Sequence, residues 1–187
     1  SFRWNVDMKS GSPALGTPES VKAAFGAGQL ARHVGLPWRG SGATASNAPD
    51  EQSVYEFMFS AWGSLLGGVN MMIHSAGWLE GGLTASMEKF ILDIEMLQGF
   101  AEIFSPLDGS DAEIGMDALA EVDPGGHFFA AAHTMARYQD AFYTPLVSDW
   151  RNFETWSEDG AKTAVQRANR IWKERLAAFT PAPMDIA

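Results

Sequence analysis

Along this chain, short apolar runs alternate with longer stretches in which apolar side chains recur every three or four residues. Phe2 to Met8 alternate bulky with polar side chains, and the turn formers of KSGSPALGTPE follow, so a strand and a loop are predicted there. Thr17 then stands ahead of Pro18 as an N-cap, and Val21, Ala24, Phe25, Gly28 and Ala31 give the next helix one apolar face until Gly35 and Pro37 end it. A second cycle repeats the order: Pro37 to Ser41 as a short strand, GATASNAPD as the loop, and Asp50 capping a helix whose stripe is Val54, Met58, Ala61 and Leu65. In the third, Val69 to Ser75 is a nearly continuous apolar strand. Met87, Phe90, Ile91, Ile94 and Leu97 form the core face of the helix after it.

Three strands starting about 33 residues apart, each followed by a helix, have the period of βα units in a parallel sheet. The predicted class is α/β: three βα units of a TIM-barrel-like (β/α)₈ fold across residues 1–106, then a helical extension over 107–180 and a tail at 181–187. Within the extension, helices are expected at Asp111 to Val122, Phe128 to Tyr143 and Ala161 to Phe179, joined by an Asp123-Pro124-Gly125-Gly126 loop. Trp150, Phe153, Trp156 and Trp172 read as its aromatic packing. A complete barrel needs roughly 250 residues, so three units leave an unpaired strand edge. Self-association into a homo-oligomer that covers this edge is the expectation.

With 46% hydrophobic and 19% charged residues the composition is that of a folded chain, not a disordered one. A formal charge of −10 disfavours nucleic acid and anionic membrane surfaces, which require basic ones. No run of about 18 apolar residues and no opening basic-then-apolar segment is present, so the default expectation is the cytoplasm. The absence of cysteine removes disulfides, thiol nucleophiles and thiolate metal sites.

Candidate chemistry concentrates in the predicted loops. His74, Trp78, Glu80 and three glycines fall within a few residues after the third strand, where βα folds place ligands. Asn5, Asp7 and Lys9 alternate with Val6 and Met8 and so share one face of the first strand. Arg39 and Ser41 end the second strand and Asn47 follows in its loop. His127 and His133 are six residues apart, about 600° around a helix, which puts them on different faces and disfavours a shared metal. His127 is expected to cap the helix after Gly126 or to line a pocket. A Schiff-base lysine would belong on a strand, and only Lys9 comes near one. No GxGxxG, GxxxxGK[ST] or GxSxG motif is found.

NMMIHSAGWLEGGLTASMEKFILDIE at 70–95, NVDMKSGSPALGTPE at 5–19, ASNAPDEQ at 45–52, GGHFFAAAHT at 125–134 and SDWRNFETW at 148–156 together resemble the carboxyl-terminal portion of the trimethylamine methyltransferase family. The similarity covers nearly the whole chain, while that family's chains are much longer, so a fragment is expected. The resemblance implies that a methylated amine gives a methyl group to the cobalt of a corrinoid (cobalamin) on a partner protein, with no corrinoid held by this chain. Pyrrolysine, carried by the family's archaeal founders, is absent, and the chain is similar to the branch lacking it, some members of which demethylate glycine betaine.

On that resemblance His74 and Glu80 are the candidate catalytic residues, and Asn5, Asp7, Arg39, Ser41, Asn47, Trp78 and His127 the candidate substrate contacts. An aromatic face and a carboxylate both attract an ammonium ion. Arg39 suits a substrate carboxylate, as a betaine provides. His74 suits the same carboxylate or the orientation of Glu80. The alternative function is a non-catalytic binding module that self-associates, the isolated chain being inactive.

Overall fold

The structure, a computed structural model, describes residues 5–182. The described residues divide into two compact units, one of residues 5–96 and 147–182 and the other of residues 97–146. The chain is of the mixed α/β class, and the parallel pair at its centre follows the predicted order of strand, helix, strand.

In the first unit, α1 (Pro18–His33) starts where Thr17 accepts the Ser20 N–H, and α2 (Glu51–Leu66) starts where Asp50 accepts the Ser53 N–H. Each cap satisfies an N–H that the first helical turn leaves unpaired. Between them lies β1 (Arg39–Ser41), and β2 (Met71–Ile73) pairs parallel with it in the register Arg39–Met71, Gly40–Met72, Ser41–Ile73. The Gly42 N–H continues this ladder to the Ile73 carbonyl at 3.0 Å. Two tiny strands the hydrophobic pattern did not suggest, β3 (Trp78–Leu79) and β4 (Thr84–Ala85), pair antiparallel around a single 3₁₀ turn, Glu80–Gly82.

Helices α1 and α2 cross at Gly28. A Cβ there would collide with the Gly67 carbonyl oxygen, so only glycine permits the approach. The Arg32 guanidinium then donates to that same carbonyl.

Several expectations are corrected. Residues 2–4 of the expected first strand lie outside the described residues, and its remainder joins no parallel sheet. The chain reverses instead: Asp7 accepts the Lys9 and Ser10 N–H groups, Val6 bridges antiparallel to Pro13, and the Ala14 N–H donates to Asn5 at 2.6 Å. The Asx turn at Asp7 decides this local hairpin. Two parallel strands, not three, are therefore present among the described residues.

The buried face of α2 is Ser53, Glu56, Phe57, Ala61 and Ser64, rotated from the predicted stripe. In the helix after β4, α3 (Met87–Ile103), Lys89 and Asp93 are buried, whereas Met87 and Phe90 are exposed. In both helices polar side chains turn inward because they meet partners there.

Two glutamates of α3 tie the chain's last segment to the first unit. Glu95 accepts from the backbone N–H of Val147 and from the hydroxyl and N–H of Ser148. Glu88 accepts from Asn169 at 2.6 Å and from the Trp172 indole at 2.9 Å, both on α4 (Ala164–Ala177), which begins with a capping box of Thr163 and Gln166.

The predicted helix from Ala161 thus starts three residues later, after Gly160 and a left-handed Ala161, and a short helix at Phe153–Glu158 precedes it. Of the aromatic residues assigned to packing here, Trp150 and Phe153 are exposed. The second unit is built of short helices. The expected helix at Asp111–Val122 breaks at left-handed Gly115 into Asp111–Ile114 and Met116–Glu121. The one expected at 128–143 is a 3₁₀ turn, Phe128–Ala130, and a helix, Ala132–Arg137.

The Asn169 amide, and after it the Trp172 indole N–H, hold the Glu88 carboxyl at about 2, below its ordinary 4.5. Because the folded-state value is the depressed one, its stabilisation is present above about 4.5 and is lost as pH falls toward about 2. Glu88→Ala is expected to lower stability at neutral pH by about 1–2 kcal/mol. It should also flatten the acid limb of a Trp172 fluorescence titration. An unchanged acid limb would exclude Glu88 as the acid-sensitive tie.

Candidate functional site

At the carboxyl ends of the two parallel strands, the loops 42–50 and 74–86 lie against each other. The Glu80 N–H donates to the Ser46 carbonyl and the Gly81 N–H to the Thr44 carbonyl, both at 2.8 Å, while the Thr44 hydroxyl donates to the Trp78 carbonyl at 2.8 Å. These bonds join two loops that are adjacent only because their strands pair.

The first of these loops is held from behind by one polar stripe of α2. Ser64 accepts the Ser41 N–H at 3.2 Å and donates to the Ser41 carbonyl at 3.0 Å. Ser60 donates to the Ala43 carbonyl at 3.0 Å, and Glu56 accepts the N–H groups of Ala45 and Ser46 at 2.9 and 2.8 Å. Glu56, Ser60 and Ser64 are spaced four apart, so a single helical face meets successive backbone groups of the extended segment 41–46. Gln52 completes Glu56 by donating to its other oxygen at 2.7 Å.

The second loop is held by a buried ion pair. The Lys89 ammonium donates to Asp93, and the other oxygen of Asp93 accepts the Gly77 N–H at 2.8 Å. Side-chain exposure is 0% for Lys89 and 1% for Asp93. Burial pushes the Lys89 ammonium down and the Asp93 carboxyl up to about 6, each partly opposed by the other's charge. Lys89 also stands over the Phe57 ring, 4.8 Å from its centroid. That ring packs beneath Gly42, where an added Cβ would lie 2.9 Å from the ring and 3.1 Å from the His74 carbonyl.

Within this frame His74 and Trp78 meet edge to face, ring centroids 5.5 Å apart. His74 is in the left-handed region at φ 49°, uncommon for a residue with a Cβ, and its buried Nδ1 has no hydrogen-bond partner among the described residues. A strained backbone and an orphaned polar atom on one side chain both cost free energy, and they cluster at ligand-binding positions. Glu80 shares the left-handed conformation but is exposed, and its carboxylate accepts from Thr84 at 3.0 Å. No hydrogen bond joins it to His74.

The other candidates disperse. Asn5 and Ser41 line an apolar groove of about 740 Å³ walled mostly by α1 and by Leu36, Trp38 and Ala43. The Ser41 hydroxyl accepts the Ala43 N–H at 3.1 Å within its own loop. Asp7 forms the turn described above and makes no ion pair with Lys9. Arg39 and Asn47 are exposed. His127 lies in the second unit with its ring 5.0 Å from that of Phe129; it precedes the 3₁₀ turn there but provides no side-chain cap. The groove contains neither His74 nor Trp78, and its lining offers no charged side chain. The loop pair is accordingly the stronger site.

Sequence reasoning missed Glu56, Lys89 and Asp93. The signal was present in MEKFILDIE, where a lysine and an aspartate four apart interrupt an apolar helical face. No group of three or more His, Asp or Glu side chains among the described residues is disposed to hold a metal ion. None of their helices is long and apolar enough to cross a membrane.

An α/β chain with a built loop site at the ends of parallel strands is the class these features define. Over residues 1–187 it matches the family model of trimethylamine methyltransferase (MTTB), and the chain belongs to that family. A glycine betaine methyltransferase of Desulfitobacterium hafniense strain Y51 is 36% identical over 180 residues, covering 96% of this chain and 37% of that protein. Trimethylamine methyltransferase MttB of D. hafniense strain DSM 10664 / DCB-2 is 31% identical, with 96% and 36% covered. MttB2 of Methanosarcina mazei is 29% identical, again with 96% and 36% covered. The chain thus spans a little over a third of the length of these relatives.

The contact of Gly42 with the Phe57 ring has a measurable consequence. Gly42→Ala is expected to destabilise the fold by about 1–3 kcal/mol, since neither the buried ring nor the His74 carbonyl can retreat freely. Chemical denaturation checks it, and a change below about 0.5 kcal/mol would mean that the loop is not seated on the ring.

Proposed function

We propose that the protein to which this chain contributes moves a methyl group from a methylated amine, of the quaternary or betaine type, to the cobalt(I) of a corrinoid carried by a separate protein. Membership of the family supports methyl transfer from methylated amines. The greater identity to the glycine betaine methyltransferase than to the trimethylamine enzymes reported above supports a quaternary donor. The site observation that carries the proposal is the His74–Trp78 pair, an aromatic ring beside a sheltered hydrogen-bonding nitrogen that has no partner among the described residues.

In the step itself the N–CH₃ bond breaks with its electron pair staying on nitrogen, and the cobalt(I) pair forms the Co–CH₃ bond. A quaternary nitrogen leaves as a neutral amine without needing a proton, so no acid is required at the nitrogen. The chain's residues then have to seat and orient the donor. The Trp78 ring attracts the methylated ammonium by its π face, worth about 0.5–2 kcal/mol. The His74 Nδ1, when protonated, donates to the donor's carboxylate and recovers the missing hydrogen bond. Glu80, steadied by Thr84, adds negative potential at the ammonium end. The barrel-like arrangement proposed for the whole protein extends the parallel β1–β2 pair with strands from outside this chain.

The direct test mixes the whole protein with cob(I)alamin and, in turn, glycine betaine, related quaternary amines and trimethylamine, following methylcobalamin by absorbance. Conversion with a betaine is expected. Trp78→Ala should then raise KM about 2- to 30-fold, with a smaller effect on kcat. Conversion with trimethylamine alone would refute the betaine assignment, and no conversion with any amine would refute the reaction.

A further inference from the structure

Two buried carboxylates, on different helices, hold the two loops of the candidate site. Glu56 on α2 accepts the backbone N–H groups of Ala45 and Ser46, and Asp93 on α3 accepts that of Gly77. Both carboxylates are sealed from solvent, with Glu56 at 7% and Asp93 at 1% exposure. Two anions in one interior repel and are costly to desolvate unless a cation serves both.

Lys89 is placed for that. It is fully buried, it bonds directly to Asp93, and its ammonium lies over the ring of Phe57, the residue next to Glu56. The ring carries Gly42, and Gly42 in turn abuts the His74 carbonyl. Ammonium, ring and loop backbones therefore form one continuous packed column.

From this we infer that Lys89 is a positioning residue for both loops of the site: its single charge holds loop 74–81 through Asp93 and loop 42–46 through Phe57 and Glu56. The inference deepens the proposed function, since it rests on these two loops being the donor site. Asp93 and Glu56 are also the two carboxylates whose charge favours the protonated lysine against the cost of burial. The arrangement explains why an apolar helical face tolerates a lysine and an aspartate. Without the cation, Asp93 loses its buried ion-pair partner and the Phe57 ring loses the charge that stands over it, and the loops they support loosen.

Amide hydrogen exchange of the whole protein, without substrate, tests this. Asp93→Asn should accelerate exchange in 74–81 alone and Glu56→Gln in 42–46 alone. Lys89→Met should accelerate both loops by about tenfold or more while α4 stays unchanged. If Lys89→Met does not fold, Lys89→Met/Asp93→Asn replaces it, leaving no uncompensated Asp93 charge, and acceleration in 42–46 is still expected. Acceleration confined to 74–81 in every Lys89 variant would overturn the inference, because Lys89 would then serve Asp93 only. Where a methyl donor has been found, KM for it should rise about tenfold in the Lys89 variant at a temperature where that variant is fully folded, and an unchanged KM would also overturn it. Since exchange is read without substrate, failure of methyl transfer with every amine would refute the proposed reaction and leave the exchange outcome to stand by itself.

Discussion

A backbone segment that has left its sheet must find other hydrogen-bond partners, and in this chain that constraint falls on residues 41–46. Beyond Gly42 the ladder with β2 stops, yet Ala43, Thr44 and Ser46 remain buried. A buried N–H or C=O group left without a partner costs about 1–3 kcal/mol. Helix α2 meets the need with Ser64, Ser60 and Glu56, and the loop after β2 meets the rest through Thr44 and Ser46. Once these bonds are in place, loop 42–50 has one available conformation, and it is the platform on which the second loop rests.

The second loop is determined in turn. Its reversal passes through Gly77, Gly81 and Gly82 and through two residues with side chains, His74 and Glu80, in the left-handed region. Such a path is unfavourable locally and persists only if the surroundings over-determine it. Asp93 at Gly77, Ser46 and Thr44 at Glu80 and Gly81, and the short β3–β4 pair supply that determination. The result is the meeting of the His74 and Trp78 rings, a polar atom and an aromatic surface brought together by rigid supports.

Where hydrophobic periodicity failed, it did so for one reason. Both α2 and α3 were expected to bury their most apolar stripe, but each turns a partly polar face inward. A buried Ser, Glu, Lys or Asp is unfavourable only when it lacks a partner. For α2 the partners are backbone groups 10 to 23 residues earlier in the chain. For α3 they are Gly77, sixteen residues earlier, and the internal Lys89–Asp93 pair. None of those partners is visible in a helical window. The expected first strand failed differently, because a local Asx turn at Asp7 reverses the chain within a few residues.

By itself the sequence determined what depends on near neighbours: the starts of α1 and α2 at Thr17 and Asp50, the helices they begin, and the two short predicted strands at 37–41 and 69–75 that contain β1 and β2. It also singled out His74, Trp78 and Glu80, because a polar, glycine-rich turn after an apolar run is legible in any window. Only the tertiary structure decided which face of each helix is inside, that His74 and Trp78 meet while Asn5 lines a groove that contains neither, and that Glu56, Lys89 and Asp93 form the support. Those outcomes depend on hydrogen bonds and charges between segments distant in sequence, and their energies exist only when the segments are already side by side.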